Sequence, residues 1–419
     1  MNVEISQSPL PESPTGCGPI RPETENTGSS LRSRVFETVR SAGRISRIDL
    51  AKRLSVSPAS ITALVGELLD LGMLQEQSDT TRTTSRGRPP VALSVQPDAG
   101  YVVGIKLSRA NHTALLVDAA GQPLAQASLT CTPRRRSVSQ MLLETGQVLD
   151  ALLKQANLER SDIACIGLGM PGMIDHAAGH MVWSPILTEV DLPLRRFAED
   201  AFGVPVAVDN DANLVTLAEL WFGKGRAMAD FAVVTIEQGV GMGLVINHRL
   251  YRGAGSLGME LGHTKVQMDG ALCQCGQRGC LEAYIADYAL VREASTALDS
   301  SHFDTATPEV MLQQLYEQAK AGNEAARVIF RRAGRFLALG LANVVNLFDP
   351  PLIILSGERM QYDYLYADDV LREMHALSLN RDAAPQKVET HAWGDLMWAH
   401  GAAALALSEI ADAMAERRG

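Results

Sequence analysis

The chain has 419 residues, of which 46% are apolar and 21% charged, and a formal net charge of −10. That length accommodates two or three domains, and the composition is that of an ordinary soluble globular protein. No run of about 18 apolar residues marks a membrane span, no basic-then-apolar start marks an export signal, and the acidic balance argues against a protein that coats nucleic acid throughout. A cytoplasmic location is the default expectation.

Residues 1–30 are rich in Pro, Ser, Thr, Glu and Gly, with almost no large apolar side chains. Such a segment cannot bury a core, so a mobile, disordered tail is expected. Residues 31–76 read as three helices. Val35, Phe36 and Val39 give the first an apolar face. Ser46 is placed to cap the second, which carries Ile48, Leu50, Ala51 and Leu54. A tight turn at Ser55-Val-Ser57 follows, and Ser57 with Pro58 opens the third helix, a favourable start. It runs through Ile61, Leu64, Val65, Leu68 and Leu69 to Gly72. Helix, short turn and helix after a first helix is the layout of a helix-turn-helix, in which Ser57, Ser60, Thr62 and Ala63 would face a DNA groove.

Residues 31–97 are locally basic. Arg32, Arg34, Arg40, Arg44, Arg47, Lys52, Arg53, Arg82, Arg86 and Arg88 stand against Glu37, Asp49, Glu67, Asp70, Glu76 and Asp79. That contrast fits a small nucleic-acid-binding module on a larger acidic body. Arg86-Gly-Arg88-Pro-Pro90, ahead of the strand at 91–95, suits a narrow minor groove and reads as the wing of a winged helix. A flexible basic linker is the alternative.

From Tyr101 the texture changes. Strands are expected at 101–107, 114–117, 163–169, 206–208, 231–236, 243–246 and 351–356. Helices are expected at 142–158, 212–222, 283–298, 308–322, 323–348 and 396–417. Alternating strands and helices indicate an α/β body with partly parallel sheets.

The densest chemistry lies between Glu260 and Glu282. Glu260-Leu-Gly-His263 is followed by Cys273-Gln-Cys275-Gly-Gln-Arg-Gly-Cys280-Leu-Glu282. His263, Cys273, Cys275 and Cys280 outline a tetrahedral zinc site, structural because four protein ligands leave no open position. Reduced cysteines without a metal are the alternative. Cys17, Cys131 and Cys165 are scattered and read as core residues, and nothing marks the chain for disulfides.

These motifs, with the upstream Gly239-Val-Gly-Met-Gly243, closely resemble those of the ROK family of repressors, open reading frames and sugar kinases. The resemblance implies a two-lobed actin-like (ribonuclease H-like) sugar-kinase fold behind the winged helix, with the ligand between lobes. The expected division is a tail at 1–30, a winged helix-turn-helix at 31–97 and a sugar-sensing body at 98–419. One lobe would span about 98–222 plus the C-terminal helix, and the other 223–395. Asp209-Asn210-Asp211-Ala-Asn213 matches the family's Asn-Asp-Ala-Asn motif, whose Asp is the base of the kinases; Asp211 holds that position. By the same resemblance Gly172, Asn210, Asp211, Glu260, His263 and Glu282 would meet a sugar. On the nucleotide side this sequence departs from the family's kinases. Their acidic position on the first hairpin is Lys106 here, their flexible glycines are Ser108 and Arg109, and their second phosphate loop reads Glu237-Gln238-Gly239.

The expected protein is therefore a sugar-responsive DNA-binding regulator, a repressor rather than an enzyme. It would carry one structural zinc per chain, bind double-stranded operator DNA as a homodimer or tetramer, and answer to a monosaccharide or its phosphate. The alternatives are an ATP-dependent sugar kinase with a fused DNA-binding head and a zinc-stabilised scaffold for a protein partner.

Overall fold

The computed structural model describes residues 3–5, 16–21, 30–78, 91–297, 307–357, 368–379, 386–391, 394 and 396–415. The chain opens with a short strand, β1 (Val3–Ile5), and then forms a winged head. The head consists of α1 (Leu31–Ala42), β2 (Ile45–Ser46), α2 (Arg47–Leu54), α3 (Pro58–Asp70), β3 (Leu74–Ser78) and β4 (Val91–Val95). Each of its helices starts on a serine whose hydroxyl accepts a backbone N–H three residues on: Ser30 from Ser33, Ser46 from Asp49 and Ser57 from Ser60. Those bonds satisfy donors that a helix start leaves free. The turn between α2 and α3 places Ser55 in the left-handed region, and α3 ends before Gly72, also left-handed. Leu50, Ala51, Leu54, Ile61, Val65 and Leu68 pack under α1 against Leu93 of the small antiparallel sheet β2-β4-β3. Ile48, expected on the apolar face of α2, is exposed.

The body has two lobes. The first contains β5 (Tyr101–Lys106), β6 (Asn111–Asp118), β7 (Pro123–Thr130), α4 (Val138–Ala156), β8 (Ile163–Met170), β9 (Met173–Asp175), β10 (His180–Trp183), α5 (Leu194–Phe202), β11 (Val206–Asn210) and α6 (Asp211–Trp221). The second contains β12 (Phe231–Ile236), β13 (Val240–Ile246), β14 (Arg249–Tyr251), α7 (Glu282–Ile285), α8 (Asp287–Ala297), α9 (Pro308–Lys320), α10 (Glu324–Phe348), β15 (Leu352–Ser356), α11 (Asp368–Leu377) and β16 (Lys387–His391). A last helix, α12 (Met397–Ala415), returns to the first lobe.

The two large sheets run β1-β7-β6-β5-β8-β11 and β14-β13-β12-β15-β16. With β1 set aside they share one topology. The first strand is central, two antiparallel strands follow on one side, and two parallel strands lie on the other. This repeated order is the actin-like duplication, and the fold is α/β with an N-terminal winged helix-turn-helix. The antiparallel hairpins need only short turns, whereas each parallel step needs a crossover, and helices cover the sheets there. Glycines 104 and 167 let the backbone of α12 lie directly on β5 and β8, since a Cβ at either would fall on main-chain atoms of residues 402 and 403.

Two further expectations differ from the structure. The tail at 1–30 is built into the fold where it is described: Val3–Ile5 extends the first-lobe sheet by pairing with β7, and residues 16–21 pack between head and body. Composition missed this because backbone hydrogen bonds hold these segments. The single helix expected at 283–298 breaks at Ala286, which is extended (ψ 161°), while the N–H of Asp287 donates to Glu237 O.

Candidate effector cleft and metal centre

The cleft is built on the junction of β11 and α6. Asn210 is the N-cap of α6, its side-chain oxygen accepting the Asn213 N–H at 2.8 Å. Asp211 is the first helical residue, where the helix dipole favours a carboxylate. Behind them, fully buried Asp209 accepts the N–H of Asn210 (2.8 Å), the amide of Asn213 (2.7 Å) and the guanidinium of Arg252 (2.8 Å). Arg252 belongs to the second lobe, so this ion pair ties the lobes together behind the β11–α6 junction. Asp209 and Arg252 were not singled out from the sequence. The adjoining Asn-Asp-Ala-Asn motif was the signal for the first; nothing local points to the second.

Gly172 follows β8, whose Met170 pairs with Asn210. Its φ of 126° and a Cβ that would strike Trp183 O both require glycine, so packing of this turn is reason enough for the residue. Glu260, His263 and Glu282 enter from the second lobe. Burial raises the Glu260 carboxyl; His263 opposes that, and Asp211 and Glu282 add to it. Burial likewise raises Asp211, and Lys106 opposes it. Asp211, Glu260, His263 and Glu282 thus share one electrostatic neighbourhood, and carboxylates beside an amide offer vicinal hydroxyls both acceptors and donors. Glu282 is buried and also structural. One carboxylate oxygen accepts the Val240 N–H at 3.2 Å, and the other lies 3.4 Å from both the Tyr288 hydroxyl and Cys273 Sγ.

The metal-ligand candidates converge. One donor atom each from His263, Cys273, Cys275 and Cys280 lies within 4.8 Å of the others. Cys275 Sγ and Cys280 Sγ are 3.7 Å apart, as are Cys273 Sγ and His263 Nδ1. A tetrahedron with Zn–S bonds of ~2.3 Å has an edge of ~3.8 Å, so these separations fit the ion. The Lys265 ammonium, 3.0 Å from Cys280 Sγ, would offset the excess negative charge of three thiolates around such an ion. The loop is shaped for the set: Gly276 and Gly279 are left-handed, and a Cβ at Gly279 would collide with Gln267 O. Nδ1 is the ring nitrogen of His263 that faces Cys273 Sγ.

The end of β5 carries a cation. Lys106, at the end of β5, holds its Nζ 3.6 Å from the centre of the Trp398 ring and acts electrostatically on Asp211. The Glu237 turn closes through a Glu237 N–H bond to Gly239 O.

In the head, Ser57, Ser60, Thr62 and Ala63 are all exposed on α3, opposite buried Ile61, Val65 and Leu68. Arg86 and Arg88 lie outside the described residues, between the paired strands β3 and β4.

The sequence profile of the ROK family matches residues 102–409. The chain belongs to the ROK family. Similarity to ROK repressors extends over the head as well. The chain is 26% identical over 383 residues to the xylose repressor of Caldicellulosiruptor bescii, covering 90% of this chain and 95% of that one. It is 30% identical over 356 residues to the DNA-binding transcriptional repressor Mlc of Escherichia coli, covering 84% and 85%. Its fold matches the crystal structure of a ROK family transcriptional regulator, a homologue of the E. coli Mlc protein. That match has a TM-score of 0.77 and 25% identity, and covers 92% of this chain and 96% of the other. No described helix is long and apolar enough to cross a membrane.

Proposed function

We propose that this ROK protein is a cytoplasmic, sugar-responsive transcriptional repressor of carbohydrate uptake or catabolism genes. The observation that carries the reading is a winged head packed onto a two-lobed body whose cleft keeps Asn210, Asp211, Glu260, His263 and Glu282 on its sugar side and presents Lys106 on its nucleotide side. An ammonium where the family's kinases place a carboxylate repels the metal that accompanies a nucleotide, and Glu237 repels phosphate; the protein is not a kinase. The relatives named xylose repressor and DNA-binding transcriptional repressor support the same assignment.

The head binds a roughly palindromic operator as a dimer or tetramer, with α3 in the major groove through Ser57, Ser60, Thr62 and Ala63 and with Arg86 and Arg88 in the minor groove. The effector is a monosaccharide or its phosphate, held between Gly172 and the carboxylates. It shifts the lobes only by its difference in affinity for two lobe arrangements. His263, Cys273, Cys275 and Cys280 hold one zinc ion, which when bound fixes the loop that presents Glu260 and Glu282.

The test is capture of fragments of the protein's own genome, with and without a panel of monosaccharides and their phosphates. A palindromic fragment released by one sugar supports the reading and names the effector. Conversion of a sugar to its phosphate with ATP, with no fragment bound, overturns it in favour of a kinase. Replacing Arg86 and Arg88 together by Ala should lower fragment affinity about 10-fold or more at matched salt and leave the sugar-induced rise in melting temperature intact; unchanged affinity would remove the wing from the interface.

A further inference from the structure

Residues 16–21 occupy a groove between the head and the body. The N–H of Cys17 donates to Arg40 O at 3.1 Å, and that of Gly18 donates to Trp221 O at 2.8 Å. Arg40 lies in the last turn of α1, and Trp221 ends α6, so the segment takes up a terminal carbonyl from one helix of each domain. The Ile20 N–H donates to Arg226 O (2.7 Å), and the Arg226 guanidinium in turn reaches Gly18 O (3.1 Å) and Ser41 O (2.6 Å). Arg21 pairs with Glu37 of α1 at 2.8 Å. The Cys17 side chain, 1% exposed, fits against Gly121, where a Cβ would come within 2.5 Å of its sulfur. Gly16 has φ 81°, and a Cβ there would lie 2.5–2.6 Å from Gly43 N, Arg40 O and Ser41 O. Beside this segment the Arg40 guanidinium stacks on Trp221 at 4.5 Å.

Head, segment and body therefore meet at the C-terminal end of α6. The opposite end of the same helix carries Asn210 and Asp211. Residues 212–221 are buried throughout, and the helix spans ~16 Å, so displacement of its cleft end is delivered to its far end as a rigid body. Glu219, one residue pair before that end, bonds His391 of the second lobe at 2.6 Å, so lobe movement acts there too.

We propose that residues 16–21 are a built-in peptide ligand of the head–body groove, and that their seating transmits the state of the effector cleft to the DNA-binding head. The second half of this proposal rests on the regulator reading above. The segment is short and held mostly by backbone bonds, and it is flanked by Ser-Gln-Ser-Pro-Leu-Pro-Glu-Ser-Pro-Thr at 6–15 and Pro-Glu-Thr-Glu-Asn-Thr-Gly-Ser at 22–29. A ligand of this kind can leave its groove without unfolding either domain.

Gly16→Val tests it in the full chain, because it adds a side chain where neither the backbone angle nor the space permits one and alters no residue of head or body. Seating is read from maleimide labelling of Cys17, localised by peptide mass. The thiol, buried and pushed up to about 11, is protected when the segment is seated. Labelling at least 10-fold faster in Gly16→Val supports the groove assignment, and an unchanged rate overturns it. Coupling is read from a genomic fragment selected with the unaltered protein and from whichever of D-glucose, D-xylose, N-acetyl-D-glucosamine or their phosphates raises its melting temperature. Gly16→Val should keep that melting shift while the sugar changes its DNA affinity by less than twofold. A wild-type release ratio in a variant whose Cys17 labels fast overturns the coupling and leaves the groove. If no fragment and no sugar bind the unaltered protein, the regulator reading fails and the coupling with it, and the labelling alone decides the groove. Deletion of residues 1–21, with hydrogen exchange read in Leu31–Ala42 and in residues 217–222, repeats the test without the strained substitution: faster exchange in both segments supports the proposal, and unchanged exchange overturns it.

Discussion

Among the described residues, two groups bring metal-type ligands within 4.8 Å, and they are built for opposite purposes. His263, Cys273, Cys275 and Cys280 sit on one short loop and offer three sulfurs and a nitrogen, with the ammonium of Lys265 against Cys280 and Glu282 and Tyr288 against Cys273. His112, Cys131 and Glu144 come from two strand ends and a helix, and the cation is already present as protein. The Arg136 Nε lies 2.7 Å from Glu144 Oε2, and its side chain is 1% exposed. The imidazole is also committed: Nδ1 accepts the Ser108 N–H at 3.2 Å, and Nε2 faces Glu144 at 3.3 Å. The remaining guanidinium donors reach the carbonyls of Ser108, Arg109, Thr132 and Arg134. The second cluster therefore pins the hairpin between β5 and β6, the place where the family's kinases are implied to keep flexible glycines for phosphate. Ligand types alone do not make a metal site; unclaimed lone pairs and unbalanced charge do.

The largest separation between the two should come from Cys273→Ser. Zinc content, measured by atomic emission, should fall from about one to near zero per chain, with loss of most of a binding free energy on the order of 10 kcal/mol and of any sugar response. Zinc retained at full stoichiometry would dissolve the contrast. Glu144→Ala should instead leave zinc unchanged and destabilise the fold by ~3–5 kcal/mol in urea unfolding, because it strands Arg136 as an unpaired buried charge. A cost under ~1 kcal/mol would mean the pair carries little.

Acid should discriminate them in a second way. Burial, then the Arg136 charge, pushes His112 down to about 4 from 6.5, against the pull of Glu144. Between those values the unfolded chain binds a proton that the folded chain refuses. The stability carried by neutral His112 is complete above about pH 6.5 and is lost as pH falls towards 4, by up to about 3 kcal/mol. Wild type compared with His112→Gln should show this as a stability difference that shrinks on acidification; a pH-independent difference would show that His112 titrates alike in both states.

Much of this was legible in sequence where the cause is local. The Ser46 and Ser57 caps, the stop at Gly72 and the cysteine cluster each depend on residues a few positions apart. What escaped depends on distant partners. Arg252 reaches Asp209 across the lobes, Lys106 finds Trp398 from the last helix, and the 16–21 segment is held by carbonyls at 40, 221 and 226. β7, α5, β14, α11 and β16 lie outside the elements expected from the sequence. The break at Ala286 was missed because an apolar run does not reveal that Asp287 will turn to Glu237.

The smallest effect should fall on Cys131. It is the only sulfur of the second cluster, and its contact with Glu144 is 3.8 Å, a weak thiol bond to a carboxylate that Arg136, His112 and Gln140 also approach. Replacing it by Ala removes one buried sulfur and leaves each stronger partner in place, so the cost should be ~1 kcal/mol with zinc content unchanged. The same exchange at Cys273 would remove a quarter of the proposed zinc coordination shell. If Cys131→Ala and Cys273→Ala cost the same, the two clusters hold their folds by one mechanism and the distinction drawn from Arg136 is wrong. If they differ by several kcal/mol, the arginine explains why one group of ligands can do without a metal.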